Sequence, residues 1–347
     1  MSDHGREVVT SSAPAPLLFA LPESEELART ISRLSGVALA PLEERRFEAG
    51  EFKLRPLTSV RDREIFVVQS LANSPQAPVS ERLVRLLFLL YGLRDAGAAR
   101  ITLLIPYLAF ARKDRRTQPR DPVSSRYIAQ LLEAPGIDRL IALDAHNPAA
   151  FDNAFRSGTD HLSAIPLFVD HFARHLADVT ALAVASPDVG GVKRAQLFRE
   201  QLERRLARAV ELVFIEKRRV ADVVSGGLVV GDCSARTTII LDDLCASGGT
   251  LIRASAALRA AGAREVHAAF THAPLPEGLS ALAACGDLAQ VVLTDSVGTP
   301  LAQLPAAVAH RLTVLGIAPL FGAVISRLVA HRPLAPLLER FPPADAS

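Results

Sequence analysis

Residues 237–253 read TTIILDDLCASGGTLIR, and this stretch decides the fold. Its first five residues are β-branched or apolar, which is typical of a strand buried on both faces, and the strand ends in two adjacent carboxylates, Asp242 and Asp243. A loop of small residues follows at 247–250, after which apolar residues recur at helical spacing as far as Gly262. The stretch therefore predicts the order strand, small-residue loop, helix.

The small-residue loop predicts a site for a phosphate group. Glycine, serine and threonine ahead of a helix direct several backbone N–H groups and hydroxyls at one point, where the helix dipole also favours an anion. Carboxylates at the strand end, Asp242 and Asp243, can accept hydrogen bonds from the vicinal hydroxyls of a ribose. The alternative is an ordinary turn whose glycines only permit tight packing, but the two acids favour the phosphate site. We expect the phosphate contacts from four loop residues: Ser247, Gly248, Gly249 and Thr250.

The composition favours α/β domains that act on small molecules. A length of 347 residues with 49% hydrophobic residues is sufficient for the cores of two domains. The net charge is only +2, Trp is absent, and no basic tract contains interleaved aromatic residues, so we expect no nucleic-acid partner. We also expect a cytoplasmic protein without a membrane partner, because the three cysteines lack metal-type spacing and no signal peptide or apolar run of membrane length is evident.

Three other predicted strands end in residues that suit ligand binding. The strand at 101–105 runs into PYLAFARKDRR, a cationic cluster at a place where α/β proteins bind anions. The strand at 139–143 is followed by DAHNP, in which His146 could meet a metal–phosphate group. The strand at 181–185 is followed by SPDVGGVKR, an acid and Gly-Gly loop that opens a helix. A solvated charge run and a structural histidine are the ordinary alternatives, and the shared position after strands favours the functional interpretation.

Strand and helix alternate along the chain, which predicts parallel sheets in two similar α/β domains. We expect a disordered leader at 1–16, an N-terminal domain at 17–162, a C-terminal domain at 163–313 and a tail at 331–347. A helix at 314–330 is expected to pack back on the N-terminal domain.

Seven segments in order resemble the ribose-phosphate diphosphokinases, the enzymes that make phosphoribosyl diphosphate. The loop alone also resembles that of the phosphoribosyltransferases, which are generally single-domain and lack the other segments. The resemblance implies two phosphoribosyltransferase-like domains, each a mostly parallel sheet flanked by helices. The segments are FEAGE at 47–51, PYLAFARKDRR at 106–116, DAHNP at 144–148, SPDVGGVKRA at 186–195, EKRR at 216–219, LDDLCASGGT at 241–250 and VLGIAPLFGAVI at 314–325.

The resemblance implies a reaction and the placement of its sugar and metal. In such enzymes the β,γ-diphosphoryl group of ATP moves to the 1-hydroxyl of ribose 5-phosphate, which gives phosphoribosyl diphosphate and AMP. The matching positions place Mg²⁺ near His146 and Asp188. They place the ribose at Asp242 and Asp243 and its 5-phosphate in the loop 247–250.

The resemblance also implies catalytic, nucleotide-binding and subunit-contact residues. Lys217 and Arg219 match a flexible catalytic loop whose cations close over the transferring group. Phe47 and Glu51 match residues that reach the adenine of a neighbouring subunit, which implies a homo-oligomer, whether dimer, tetramer or hexamer. The polar segment 45–56 accordingly favours a projecting hairpin or loop with aromatic anchors. The implied ATP-binding residues are Phe47, Glu51, Arg112, Lys113, Asp114 and His146.

Some positions depart from the resembled family. Ala49 and Ala246 stand where many members have aspartate, which removes one acid near the adenine and one beside the ribose phosphate. The run NPAAFDNAF after His146 differs from the glutamine-containing run of phosphate-activated members. We therefore expect activity without inorganic phosphate and inhibition by ADP mainly at the ATP site.

Two alternatives to a diphosphokinase remain. A non-catalytic regulatory paralogue is expected to lose the catalytic-loop or metal residues, all of which this chain keeps. A phosphoribosyltransferase acting on a base is disfavoured by the two-domain length and by the segments on the ATP side.

Overall fold

The computed structural model describes residues 14–74, 77–220, 223–298 and 309–338, with side chains described outside 217–226. The predicted leader at 1–16 therefore lies outside the described residues except for 14–16, and the predicted tail at 331–347 except for 331–338. Within the described residues, no helix combines the length and the apolar character that crossing a membrane requires.

The described residues from 14 to 175 contain the six strands of the first sheet, a separate pair of strands and five α-helices. The strands are β1 (Leu17–Ala20), β2 (Ala38–Leu39), β3 (Leu42–Arg46), β4 (Phe52–Pro56), β5 (Glu64–Val68), β6 (Arg100–Ile105), β7 (Arg139–Leu143) and β8 (Gly158–Leu162). The helices are α1 (Glu25–Ser35), α2 (Val79–Asp95), α3 (Ser124–Glu133), α4 (Pro148–Ala154) and α5 (Ile165–His175).

The described residues from 182 onward contain the seven strands of the second sheet and five further α-helices. The strands are β9 (Leu182–Ser186), β10 (Glu211–Val220), β11 (Val223–Val230), β12 (Thr237–Leu244), β13 (Glu265–His272), β14 (Gln290–Thr294) and β15 (Leu312–Leu315). The helices are α6 (Val192–Leu206), α7 (Gly249–Ala260), α8 (Pro276–Ala284), α9 (Ala318–Val329) and α10 (Ala335–Leu338).

Both sheets are mainly parallel, which confirms the predicted fold class. The first has the order β2-β1-β5-β6-β7-β8 with every pairing parallel. The second has the order β11-β10-β9-β12-β13-β14-β15, and over its described residues only β10 and β11 pair antiparallel. Strand β12 lies between β9 and β13, and its first five residues are buried, as the apolar run from Thr237 predicts. The central position of β12 therefore carries Asp242 and Asp243 to the middle of the sheet edge.

The largest buried cluster joins the two sheets. Leu18 and Phe66 from the first sheet belong to the same cluster as Val184 and Leu241 from the second. Helix α9 also contributes to this cluster and packs against α1, where a Cβ on Gly322 would lie 2.9 Å from Cβ of Leu34. The two sheets thus share one core.

Two C-terminal features differ from the sequence expectation. The helix expected at 314–330 begins at Ala318, because Pro319 suits the first turn of a helix. Leu312–Leu315 instead forms an edge strand that pairs parallel with β14. The domain boundaries expected at 162 and 313 remain predictions.

The expected hairpin is present. Strands β3 and β4 pair antiparallel as a separate two-stranded sheet. The ring of Phe52 lies 5.3 Å from that of Phe88 on α2, which anchors the hairpin to the first sheet's helices. Phe47 at the turn remains half exposed.

Candidate active site

A cleft of about 1320 Å³ lies between the carboxyl ends of the two sheets. Its walls include residues from the loops after β6 and β7 on one side and after β9 and β12 on the other. Because strand ends and helix starts converge there, loop side chains and helix N-termini from both halves face one space. The site is therefore shared between the two sheets.

Close backbone packing fixes the position of the loop 247–250. Gly248 caps α7 with φ of 78°, a left-handed conformation that suits glycine. A Cβ on Gly248 would lie 2.9 Å from the carbonyl oxygen of Gly278, and a Cβ on Gly278 would lie 2.0 Å from that of Ala246. The glycines thus allow α8 to press against the loop and fix its path.

A partly buried arginine, Arg194, and a histidine, His146, hold the acid pair. His146 donates from Nδ1 to Asp243 Oδ2 at 2.7 Å, since a carboxylate can only accept. Arg194 donates to Asp243 Oδ1 at 2.9 Å and lies 3.7 Å from Asp242 Oδ1. Arg194 also donates to the carbonyl oxygen of His146 at 3.4 Å. Asp243 therefore joins the turn after β7, which carries His146, to helix α6, which carries Arg194.

The pKa values of Asp242 and Asp243 are shifted in opposite directions. Burial, reinforced by the neighbouring charge of Asp243, raises the pKa of Asp242 to about 8. Burial also acts to raise the pKa of Asp243, but the hydrogen bond from His146 and the charge of Arg194 hold that pKa below its ordinary value. The same hydrogen bond raises the pKa of His146. The cluster therefore keeps its negative charge on Asp243.

The turn that carries His146 is unusual in its backbone. Asp144 has φ of 39°, which is left-handed for a residue other than glycine. Its carboxylate accepts hydrogen bonds from the Ser163 hydroxyl and the Ala164 N–H, both at 3.1 Å. The N–H of Ala145 donates to Nε2 of His161 at 2.9 Å. These contacts fix the direction in which His146 leaves β7.

Two of the three predicted nucleotide residues after β6 line the cleft. Arg112 and Asp114 do so, and Asp114 accepts a hydrogen bond of 2.6 Å from the amide of Asn147. Lys113 does not, because its ammonium binds Asp121 at 2.6 Å and the hydroxyl of Thr117 at 2.9 Å.

The remaining predicted residues either lie apart from this cluster or have side chains outside the described residues. Phe47 and Glu51 close the hairpin turn through a 2.8 Å backbone hydrogen bond and do not line the cleft of their own chain. The side chains of Lys217 and Arg219 lie outside the described residues. Their neighbour Glu216 does line the cleft, which places the start of that segment beside the site.

The donor set suits a cation that is shared with a ligand. Asp188 lines the same cleft as His146 and the acid pair, and it caps the turn before α6 by accepting from the N–H of Gly191 at 3.2 Å. Among the residues with described positions, no group of three or more His, Cys, Asp or Glu is placed to hold a metal alone. Mg²⁺ commonly takes one or two protein carboxylates and completes its shell with water and substrate phosphates. The residues present fit that mode of binding.

Sequence reasoning missed two arginines of the site. Arg194 is the third residue of α6, where a cation opposes the helix dipole unless anions face it, and that conflict was the available signal. Arg253 stands four residues after Gly249 on α7, and a Cβ on Gly249 would lie 3.2 Å from its Nη1. Because helical side chains lean toward the N-terminus, this spacing places its guanidinium over the loop.

The fold and the site define a protein with two phosphoribosyltransferase-like domains. A family model described as the N-terminal domain of ribose phosphate pyrophosphokinase matches residues 17–136, and one described as the phosphoribosyl transferase domain matches residues 158–279. The chain belongs to the ribose-phosphate pyrophosphokinase family, which confirms the resemblance carried by its seven segments.

Individual relatives match over nearly the full chain. Ribose-phosphate pyrophosphokinase 1 of Streptococcus pneumoniae serotype 4 is 32% identical over 325 residues, which are 93% of this chain and 96% of the relative. The ribose-phosphate pyrophosphokinase of Fusobacterium nucleatum subsp. nucleatum is 32% identical over 315 residues, 90% of this chain and 95% of the relative. The crystal structure of phosphoribosylpyrophosphate synthetase from Mycobacterium smegmatis has a TM-score of 0.80 and 32% identity, and covers 92% of this chain and 100% of that chain.

Proposed function

We propose that this enzyme transfers the diphosphoryl group of ATP to the 1-hydroxyl of ribose 5-phosphate, giving phosphoribosyl diphosphate and AMP. The observation that carries the proposal is the shared cleft, where the acid pair and the loop 247–250 of the second sheet meet Arg112, Asp114 and His146 from the first. A transfer between two bound substrates requires such a meeting, because both must be held in line for reaction.

The ribose 5-phosphate occupies the side of the cleft formed by β12 and α7. Its 5-phosphate lies on the loop 247–250, where backbone N–H groups at the start of α7 favour an anion. Arg253 adds a positive charge over the same loop. Asp242 and Asp243 receive the vicinal hydroxyls of the ribose, and the ionised state of Asp243 makes it the stronger acceptor.

The nucleotide occupies the side formed by the ends of β6, β7 and β9. Arg112 and Asp114 line this side, while Asp188 and His146 are placed to hold Mg²⁺. Because Nδ1 of His146 donates to Asp243, Nε2 is the nitrogen left for a ligand. When bound, Mg²⁺ supplies neutralisation of charge on the phosphate oxygens.

Catalysis of the transfer is assigned to the segment after Glu216. Lys217 and Arg219 are the cations of that segment, and positive charge directed at the transferring group stabilises the charge that grows in the transition state. A segment that closes only when both substrates are bound also excludes water from the reaction.

The proposed active species is a homo-oligomer in the cytoplasm. Phe47 stands half exposed at the hairpin turn and outside the cleft of its own chain, which supports a contribution of Phe47 and Glu51 to the nucleotide site of a neighbouring subunit. The three cysteines, Cys233, Cys245 and Cys285, are free, as is usual in a reducing compartment.

The test is to incubate the protein with ATP, Mg²⁺ and ribose 5-phosphate and to follow nucleotides by chromatography. We expect AMP in amounts equal to the phosphoribosyl diphosphate formed, and no AMP when ribose 5-phosphate is omitted. A regulatory paralogue would form no AMP. A phosphoribosyltransferase would consume phosphoribosyl diphosphate only when a base is added. Either result would contradict the proposal.

A further inference from the structure

We infer that Thr271 is a positioning residue for the reaction. Its hydroxyl donates a hydrogen bond to Asp144, which lies in the other half of the chain, and so holds the turn that carries His146. The inference depends on the proposed function for the role of His146. It assigns to Thr271 no contact with substrate, since Thr271 is buried and does not line the cleft.

Two adjacent residues at the end of β13 contact two adjacent residues at the end of β7. The Thr271 hydroxyl donates to Oδ2 of Asp144. His272 lies 3.1 Å through Nε2 from the carbonyl oxygen of Leu143, which can only accept, so this nitrogen carries the proton. The other nitrogen of His272 lies 2.8 Å from the Ser296 hydroxyl. The contacts form a buried polar bridge between the sheets.

The register of the second sheet aligns this bridge with the acid pair. Leu244 on β12 pairs with His272 on β13, which places Asp243 level with Thr271 on the neighbouring strand. Asp144 binds Thr271, and His146, two residues later, binds Asp243. The turn is therefore held to the half of the chain that carries Asp243 both by buried contacts at Leu143 and Asp144 and by contacts of His146 in the cleft.

The backbone of the turn explains why the buried hydrogen bond from Thr271 to Asp144 matters. A left-handed φ at Asp144 persists only where surrounding contacts fix it. Two of the contacts to its carboxylate, from Ser163 and Ala164, come from the same half of the chain and cannot set the position of the turn relative to β12. The third contact to the Asp144 carboxylate comes from the Thr271 hydroxyl, which belongs to the same sheet as Asp243. This contact therefore sets the position of the turn relative to that sheet.

The kinetic test compares Thr271→Val, which keeps the shape and removes the hydroxyl, with Thr271→Ser, which keeps the hydroxyl. Thr238→Val is the matched control, because Thr238 is a buried threonine of the same sheet whose hydroxyl has no hydrogen-bond partner among the described residues. We expect Thr271→Val to lower kcat by about 10- to 100-fold, since small displacements of a reacting group have effects of this size. The KM for ribose 5-phosphate should change less than about twofold, because the loop 247–250 is untouched. Thr271→Ser and Thr238→Val should behave like the unmodified enzyme.

A double-mutant cycle with Asp144→Asn tests the route of the effect. Asparagine tolerates the left-handed conformation and keeps the side-chain shape, so this variant should fold even if Thr271→Val proves unstable. If Thr271 acts through Asp144, Asp144→Asn lowers kcat in the same way, and the double variant is no worse than the poorer single variant. Fully additive losses, or an unchanged kcat in Thr271→Val, would overturn the inference.

A structural readout separates this inference from the proposed function. In a substrate-free crystal structure of Thr271→Val, we expect His146 Nδ1 to lie beyond hydrogen-bond distance of Asp243 Oδ2. A retained hydrogen bond would count against the inference whatever the activity. An unmodified enzyme that forms no AMP would defeat the proposed function, while the displacement of His146 would still support the positioning role.

Discussion

Asp243 accepts hydrogen bonds from His146, in the turn after β7, and from Arg194, on α6. The sequence predicts that Asp242 and Asp243 stand at a strand end and suit a ribose. It does not predict the contact with His146, which is 97 residues away in the chain and depends on how the two sheets pack. Arg194 was missed for the same reason, because its partners are distant in sequence.

These contacts change what substitution of each acid should do. We expect Asp242→Ala to raise the KM for ribose 5-phosphate by about 10-fold, through loss of hydrogen bonds to the sugar. Asp243→Ala should raise the same KM and also the KM for ATP, because it releases His146 and Arg194. Steady-state kinetics with both substrates checks this, with Asp178→Ala as an exposed-acid control outside the cleft. An unchanged KM for ribose 5-phosphate in both variants would show that Asp242 and Asp243 do not bind the sugar.

The proposed catalytic cations, Lys217 and Arg219, call for a different kinetic result. Lys217→Ala or Arg219→Ala should lower kcat by about 100-fold or more with little change in the KM for ribose 5-phosphate, because their charges act mainly on the transition state. Arg205→Ala, an exposed arginine on α6, serves as the control. A normal kcat in both loop variants would exclude the segment from the mechanism.

Among the elements, α8 constrains the sugar side of the proposed site through its close contact with the loop 247–250. Gly278 is buried in the first turn of α8 and allows that helix to lie against the carbonyl of Ala246. From the sequence, the loop itself could be predicted, because its composition has a direct chemical use. The support from α8 could not, because a single glycine in a helix does not reveal what it packs against.

Gly278→Ala should therefore disturb the loop from a distance. The added methyl would lie 2.0 Å from the Ala246 oxygen, so the loop or α8 must move. We expect the KM for ribose 5-phosphate to rise at least about 10-fold and the Tm to fall, since overpacking typically costs about 1–3 kcal/mol. Gly286→Ala is the matched control, because no atom of the residues that the structure describes lies within 4 Å of a Cβ there. Equal behaviour of the two variants would show that the loop does not depend on this contact.

The elements themselves were predictable where their pattern is strong. The 3.6-residue periodicity predicts α2 over 79–95, and the apolar run predicts β7 over 139–143, both as observed. Strand β8, with the sequence GTDHL, and the edge strand β15 were missed. An edge strand is covered on fewer sides, so its sequence need not show a continuous apolar run, and tertiary pairing decides it.

At the scale of the whole molecule, the site depends on contacts that join distant parts of the chain. The shared core, the bridge from Thr271 to Asp144 and the hydrogen bond of 2.7 Å from Ser70 to the carbonyl of Ser296 all connect the two halves. Sequence patterns fix which face of each element is apolar, but they do not say which faces meet. The likeness of the two domains was therefore predictable, whereas their joint surface was not.

A shared nucleotide site between subunits has a direct test by complementation. One chain carries Phe47→Ala and Glu51→Ala, and the other carries Lys217→Ala. If the hairpin of one subunit completes the site of the next, mixed oligomers contain some sites with both halves intact, and activity returns after subunit exchange. Mixtures that stay inactive, with exchange verified by light scattering and tag pull-down, would show that each chain builds its own site.

The central claim is that the shared cleft moves two phosphoryl groups together, and labelled ATP tests it most directly. The enzyme is incubated with ribose 5-phosphate, Mg²⁺ and ATP labelled with ³²P in the γ-phosphate, and the products are separated by chromatography. Diphosphoryl transfer predicts that the label enters phosphoribosyl diphosphate while an equal amount of unlabelled AMP forms. Label in ribose bisphosphate or in free phosphate, with ADP as the nucleotide product, would contradict the account.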